Sequence, residues 1–123
     1  MRKPVLVACS LIIVLAALPL AAKSGFSGTY AVIGTNPGAA GYTGTLVISP
    51  RGDIYDVLWT IGSAKYAGVG VTANDTLSVA YSDGSGKWMG VVAYHQRPDG
   101  TLDGRWAVYG GKTKVGTETA VRK

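Results

Sequence analysis

The chain has few of the residue types that most often carry out chemistry. Its 123 residues include one cysteine, one histidine and seven acidic residues. The cysteine, Cys9, lies in an apolar run near the N-terminus, so the remainder of the chain can form no intramolecular disulfide and no thiolate metal site. We therefore expect a domain that is held together by core packing and that uses no thiol nucleophile.

A sustained helical period is also missing from Phe26 onward. The sequence is instead rich in glycine, tyrosine, valine and threonine, and turn residues interrupt it at short intervals, which is typical of an all-β protein. Short connections of this kind favour antiparallel neighbours. The pattern predicts eight strands, near residues 28–34, 42–49, 53–61, 66–72, 76–82, 88–96, 101–109 and 114–121.

Side chains within these predicted strands separate into two faces, because successive residues of a strand point to opposite sides of a sheet. One face collects aromatic and branched apolar residues, such as Tyr55, Val57 and Trp59, and we predict that it forms the core. The opposite face mixes threonines and charged residues with smaller apolar side chains. This second face is therefore expected to meet solvent.

A short motif recurs along the chain: an aromatic or large apolar residue, any residue, and then glycine. Glycine weakens a strand, so a repeated inward glycine usually marks sharp coiling or a close approach of backbones. The motif favours a closed eight-stranded up-and-down (meander) barrel, with a two-sheet β-sandwich as the alternative. Short strands with aromatic residues on the inner face favour a barrel in water over one that spans an outer membrane. The five copies begin at Phe26, Tyr42, Tyr66, Trp88 and Leu102.

The N-terminal segment resembles an export signal. Arg2 and Lys3 precede an apolar run over residues 5–20, and Leu20-Ala21-Ala22 supplies small residues for cleavage. We predict a signal peptide over residues 1–22 and a single all-β barrel domain over residues 23–123, in a secreted or periplasmic protein. An uncleaved membrane anchor is the alternative for this segment.

The charge of the expected mature chain is only mildly positive. Removal of Arg2 and Lys3 with the leader leaves ten basic and seven acidic residues, a net charge of +3 (10 − 7). Because the basic residues are scattered rather than clustered, we expect no nucleic-acid partner. We also expect no stable membrane span once the leader has been removed.

Neither a catalytic nor a metal site is predicted. The single histidine, His95, is expected at a strand end facing outward, and nothing in the sequence brings Asp99 or Asp103 to it as a catalytic partner. The segment from Asp83 to Gly86 lacks the ligand spacing of a calcium loop and is interpreted as a turn. We therefore expect a protein that is not an enzyme and that needs no cofactor.

Aromatic residues of the inner face form the candidate binding site. Such side chains can line a small-molecule cavity, but an eight-stranded barrel can also be filled by its own side chains, and a packed core is the favoured interpretation. The set is Tyr30, Tyr42, Tyr55, Trp59, Trp88, Tyr94 and Trp106.

Glu118 completes the candidate set, because it lies in an otherwise apolar terminal run. If Gly116 continues the series of inward glycines, Glu118 also faces inward and requires a partner. The simpler expectation is a position at the barrel rim beside a lysine. The alternative is an acid at the barrel mouth that orients a ligand.

The start of the domain, Phe26-Ser27-Gly28-Thr29-Tyr30, resembles the first strand of calycin barrels, which include lipocalins, fatty-acid-binding proteins and avidins. In those proteins a Gly-x-Trp motif closes the base of the barrel, and Tyr30 stands where the tryptophan is usual. The resemblance implies a carrier of a small apolar ligand.

A second resemblance covers nearly the whole expected mature chain. It is carried by the runs 28–30, 34–37, 42–44, 55–59, 68–71, 77–81, 90–94 and 99–106. In these runs the sequence is similar to an exported, mostly uncharacterised bacterial family of small β-barrels that is often labelled fibronectin-binding. That label implies recognition of an extracellular matrix protein by the outer face and loops. The leading functional expectation is thus a non-catalytic binding protein for an extracellular partner such as fibronectin, and the alternative is a calycin-like carrier.

Overall fold

Eight antiparallel strands form one closed barrel in the computed structural model, which describes residues 25–123 and, of the preceding segment, Arg2 alone. Each strand pairs with its neighbours in sequence, and β1 pairs with β8 to close the sheet. The predicted up-and-down barrel is confirmed, and the sandwich alternative is wrong. The predicted signal peptide lies outside the described residues except for Arg2. The strands are β1 (Gly28–Thr35), β2 (Gly41–Arg51), β3 (Ile54–Ile61), β4 (Ala64–Ala73), β5 (Thr76–Ser82), β6 (Gly90–Gln96), β7 (Leu102–Val108) and β8 (Gly116–Arg122).

The barrel has two unlike ends. The connections at residues 52–53, 74–75 and 97–101, together with the N-terminal residues 25–27, lie at what we call the closed end. The connections at 36–40, 62–63, 83–89 and 109–115 lie at the opposite, open end. The longer loops are therefore mostly at the open end.

The strand predicted near residues 88–96 begins at Gly90, two residues later than expected. The cause is local hydrogen bonding by Asp83, whose carboxylate accepts from the backbone N–H of Ser85 at 2.9 Å and from the indole N–H of Trp88 at 2.8 Å. Side chains of this kind compete with the strand ladder for the backbone. Trp88 consequently sits in the β5–β6 loop, held over the open end.

The closed end is plugged by the N-terminal turn. Tyr30 is fully buried and donates its hydroxyl to the carbonyl of Phe26 at 2.6 Å, while the Phe26 ring meets Tyr55 edge-on at 6.3 Å. Arg122 lies over the Tyr30 ring at 5.0 Å and donates to the carbonyl of Gly25 at 2.7 Å. A cation placed over an aromatic face is favourable, and here it ties β8 to the plug.

The predicted core face is confirmed as the inside of the barrel. Alternate residues of β1, β5 and β6 are buried, as the period of two requires. The outward-facing residues of the same strands are exposed. The buried apolar residues are Phe26, Tyr30, Val32, Leu46, Ile48, Val57, Trp59, Leu77, Val79, Val92, Tyr94, Leu102 and Ala120.

Inward glycines provide space for aromatic rings. At four places a glycine is the direct cross-strand partner of an aromatic residue, and a Cβ on that glycine would collide with the ring. Each ring can therefore lie along the barrel wall, over the neighbouring strand, instead of filling the axis. The pairs are Gly34 with Tyr42, Gly90 with Tyr81, Gly104 with Tyr94, and Gly116 with Trp106.

Candidate functional site: an aromatic cavity around a buried glutamate

A cavity of about 440 Å³ occupies the half of the barrel next to the open end. Its wall is mainly aromatic, and it includes Glu118 and Asn36 as well as apolar side chains. The lining residues are Asn36, Tyr42, Trp59, Ile61, Tyr66, Tyr81, Trp88, Val92, Tyr94, Trp106, Val108 and Glu118.

The structure divides the predicted binding set between the two halves of the barrel. Tyr30 and Tyr55 belong to the packed closed end and do not line the cavity. The others do line it: Tyr42, Trp59, Trp88, Tyr94, Trp106 and Glu118. The half of the interior next to the closed end is thus a packed core, and the half next to the open end contains the cavity.

Glu118, the only glutamate of the chain, is 5% exposed and accepts hydrogen bonds from three aromatic side chains. The Tyr42 hydroxyl donates to Oε2 at 2.6 Å, and the Trp59 indole N–H donates to Oε1 at 3.2 Å. The Tyr94 hydroxyl also donates to Oε1. Because all three groups are donors, Glu118 serves as an acceptor, the role that suits a carboxylate.

The register of the barrel explains how distant tyrosines reach this carboxylate. Glu118 on β8 lies between Gly34 on β1 and Gly104 on β7, so neither cross-strand neighbour has a side chain. Tyr42 and Tyr94 stand one strand further out on either side, opposite the same two glycines. Each tyrosine therefore passes its ring over a glycine and meets the carboxylate at the centre of the row.

The expectation that Glu118 pairs with a lysine at the rim is wrong. Its hydrogen-bond partners are neutral aromatic donors, and the residues between 25 and 123 that line the cavity with it include no lysine. The carboxylate is buried inside the barrel. The interpretation of Glu118 as an acid that orients a ligand stays a prediction.

The tyrosines around Glu118 are held in their neutral form. Burial, followed by the negative charge of Glu118, raises the pKa of Tyr42 and of Tyr94 well above the usual 10.0. The same two causes, in the same order, raise the pKa of Tyr81 to about 12. Both hydroxyls that contact Glu118 therefore remain donors over the physiological range.

A cluster of tilted and edge-on rings forms one side of the cavity. Tyr81 lies 5.2 Å from Trp59, 6.4 Å from Tyr66 and 5.9 Å from Trp88, between ring centroids. Tyr66 and Trp88 are themselves 5.7 Å apart. Such pairs add stability beyond the area that they bury, so the wall is well defined without a ligand.

Tyr66 and Tyr81 are lining residues that the sequence-based set omitted. Tyr66 begins one copy of the aromatic-x-glycine motif, and Tyr81 belongs to the predicted core face. The sequence therefore carried a signal for their inward orientation. It did not show which inward residues lie near the open end.

Trp106 contributes a polar group without a partner. Its indole N–H is buried in the cavity wall and makes no hydrogen bond, although the ring packs edge-on against Tyr42 at 6.3 Å. The same N–H works against the rise in the Tyr42 pKa. A buried donor without a partner is costly, so this N–H is an exception among the polar groups described in residues 25–123.

Within the part of the chain that the structure describes, Glu118 is the one charged residue that lines the cavity. His95 lies outside the cavity, on the outer face as predicted, and its cross-strand neighbour Asp103 is held by Arg97 through two hydrogen bonds of 2.6 Å. Within residues 25–123 no group of three or more histidine, cysteine, aspartate or glutamate side chains is arranged to hold a metal ion.

The fold and site define a class: a closed eight-stranded antiparallel barrel, plugged at one end, with an aromatic cavity at the other. The described segment contains no helix that is long and apolar enough to cross a membrane. No protein-family model and no curated protein matches the sequence.

Proposed function

We propose that this protein is a non-catalytic binding protein that holds a small, largely apolar ligand in the cavity at the open end of its barrel. The observation that carries the proposal is the cavity of about 440 Å³ itself. Small-molecule sites typically have volumes of about 300–1,000 Å³ and combine an apolar, aromatic lining with a few placed polar groups.

The wall of the cavity supports this proposal because its geometry is fixed before any ligand enters. Tyr42 and Tyr94 are anchored by Glu118, and Trp88 is anchored by Asp83. Rings that are already held in place lose little conformational freedom when a ligand binds, which favours affinity.

A binding role is favoured over catalysis by the composition of the lining. Acid–base chemistry usually needs two positioned groups with different proton affinities, or a histidine supported by a partner. Glu118 is the one acidic residue among the described residues of the lining, and its carboxylate already accepts three hydrogen bonds.

The test is a titration of the purified protein with N-phenyl-1-naphthylamine, an uncharged dye that fluoresces in apolar sites. We expect saturable binding at one site per chain. Val108 lines the cavity, so Val108→Trp should block the site and abolish the signal. Val91 lies on the outer wall and is 54% exposed, so Val91→Trp should bind the dye like the wild type.

Absence of saturable binding to the wild type would overturn the proposal, as would equal binding by Val108→Trp and the wild type. Native mass spectrometry of the protein, purified from its own exported fraction, is a second test of the proposal. An added small-molecule mass on a chain of residues 23–123 would support both the ligand and the cleaved leader. Export to the periplasm or the exterior is part of the proposal and is based on residues 1–22.

A second candidate function is recognition of an extracellular protein such as fibronectin by the outer wall. This function is favoured by outward apolar side chains, among which Val69 and Val91 flank Ala80 in one row across β4, β5 and β6. The ligand-binding function is better supported, because the cavity is concave and has polar groups at fixed positions. Retention of the protein on immobilised fibronectin, lost in Val69→Ser with Val91→Ser, would support the second function, and no retention would contradict it.

A further inference from the structure

We propose that the ligand is an organic cation, a small amine whose ammonium group binds Glu118 while its apolar part lies among the aromatic rings. This inference depends on the proposed function, since it names the chemical class of the molecule that occupies the cavity.

The charge of the site is not balanced by the protein. Glu118 is buried, and its three hydrogen-bond donors are neutral side chains that supply no positive charge. Among residues 25–123, those that line the cavity include no lysine, arginine or histidine. Burying a carboxylate without a counter-charge is costly, so a cation that enters the cavity gains an interaction that the protein itself leaves unmade.

The Glu118 carboxylate has hydrogen-bonding capacity that the protein does not use. Each carboxylate oxygen has about two acceptor positions. Oε1 uses both, for Trp59 and Tyr94, whereas Oε2 accepts from Tyr42 alone. One position on Oε2 is therefore left for an additional donor, and an ammonium N–H would make a charge-assisted bond there.

The wall around Glu118 is aromatic. Trp59 and Tyr42 contact the carboxylate directly, and Tyr81, Tyr66 and Trp88 continue the aromatic wall towards the mouth. Faces of tryptophan and tyrosine attract cations, and cages of such rings recognise ammonium groups. A carboxylate and an aromatic wall in one enclosed space therefore select the same chemical class.

A neutral or anionic ligand fits these observations less well. A neutral apolar molecule would leave the charge of Glu118 without a partner in a space from which it had removed the water. An anion would be repelled by the same carboxylate at short range. The negative charge of the cavity thus comes from Glu118, and Glu118 can be replaced by a neutral residue without altering the size of the cavity.

The experiment compares three probes of nearly equal shape at about pH 7, where one is a cation, one is neutral and one is an anion. The probes are phenethylamine, 2-phenylethanol and phenylacetate, each titrated by calorimetry into the full folded domain. We expect phenethylamine to bind about tenfold or more tightly than 2-phenylethanol, and phenylacetate to bind most weakly.

Two variants test whether the preference for the amine over the alcohol comes from Glu118. In Glu118→Gln the preference for the amine over the alcohol should disappear, while binding of the alcohol persists. Asp53→Asn removes the same charge from an exposed turn at the closed end and should retain the wild-type preference. The three-probe series on the wild type is decisive by itself if Glu118→Gln does not fold.

Three results would overturn the inference. Equal or tighter binding of the alcohol to the wild type would show that the cavity does not select cations, while the proposed binding function would stand. A retained amine preference in folded Glu118→Gln would place the selectivity elsewhere. Absence of binding by all three probes and by N-phenyl-1-naphthylamine would overturn the inference and the proposed function together.

Discussion

Tyr94 reaches across Gly104, its cross-strand neighbour, to donate its hydroxyl to Glu118 on the next strand. A Cβ on residue 104 would lie 2.7 Å from Cε1 of the Tyr94 ring, which is closer than real side chains approach. The aromatic residue, the glycine and the acid therefore form one unit across three strands. The predictions below test its parts.

Tyr94→Phe should lower the free energy of unfolding by about 1.5–3 kcal/mol. The substitution removes one donor from a buried carboxylate and leaves the ring in place, so the loss reports the hydrogen bond to a charged acceptor. Chemical denaturation with urea, monitored by tryptophan fluorescence, gives the value.

Tyr109→Phe is the matched control, because Tyr109 is 83% exposed and its hydroxyl meets solvent. The free energy of unfolding of that variant should lie within about 0.5 kcal/mol of the wild-type value. If Tyr94→Phe were as stable as this control, the hydrogen bond to Glu118 would contribute nothing measurable to folding.

Gly104→Ala should destabilise the barrel by about 1–3 kcal/mol, the usual cost of overpacking a well-filled interior. The new methyl group would push Tyr94 away from Glu118, so we also expect a changed tyrosine signal in near-ultraviolet circular dichroism. Thermal or urea unfolding measures the stability.

Gly25→Ala provides the comparison for this substitution. A Cβ there would have its nearest neighbour at the Tyr55 hydroxyl, 3.7 Å away, which is ordinary contact. The stability of Gly25→Ala should be close to that of the wild type. Equal effects at both positions would mean that loss of glycine itself, and not the collision with Tyr94, determines the cost.

The barrel should lose stability steeply above about pH 10. Burial and then the charge of Glu118 raise the pKa of Tyr42 and Tyr94 above 10.0 in the folded state, and raise that of Tyr81 to about 12. In the unfolded chain the same groups titrate near 10. Between about pH 10 and 12 the unfolded chain therefore holds fewer protons than the folded chain, so stability is intact below this window and falls as pH rises through it.

Urea midpoints measured from about pH 8 to 11.5 test this dependence. Tyr42→Phe removes one of the responsible groups and should give a shallower fall than the wild type. Tyrosinate absorbance at about pH 11 should also be lower in the folded protein than in guanidinium-unfolded protein. Midpoints that do not change across this window would contradict the proton linkage.

The sequence by itself determined the strands and the two faces, and its inward glycines favoured a closed barrel over a sandwich. The strands and faces follow from the period of two along each strand and from turn residues, both of which are local properties of the chain. An inward Glu118 was a conditional expectation, which required Gly116 to face inward, and the structure shows both residues buried.

Only the tertiary structure decided what Glu118 contacts. Its hydrogen-bond partners come from β2, β3 and β6, and the nearest of them in sequence is Tyr94, 24 residues away. Whether a tyrosine two strands away reaches the acid depends on strand register and on a glycine between them, neither of which is visible in one strand alone. For the same reason the nearby-lysine interpretation was wrong.

The choice between a packed core and a cavity was also decided by the tertiary structure. The sequence supplies similar aromatic residues to both ends of the barrel, but at the closed end residues 25–27 fold inward and Tyr30 bonds to Phe26. At the open end the rings lie along the wall, over glycines, and leave the axis free. Composition fixes how much side-chain volume is present, whereas the placement of each ring determines whether that volume fills the interior or encloses a space.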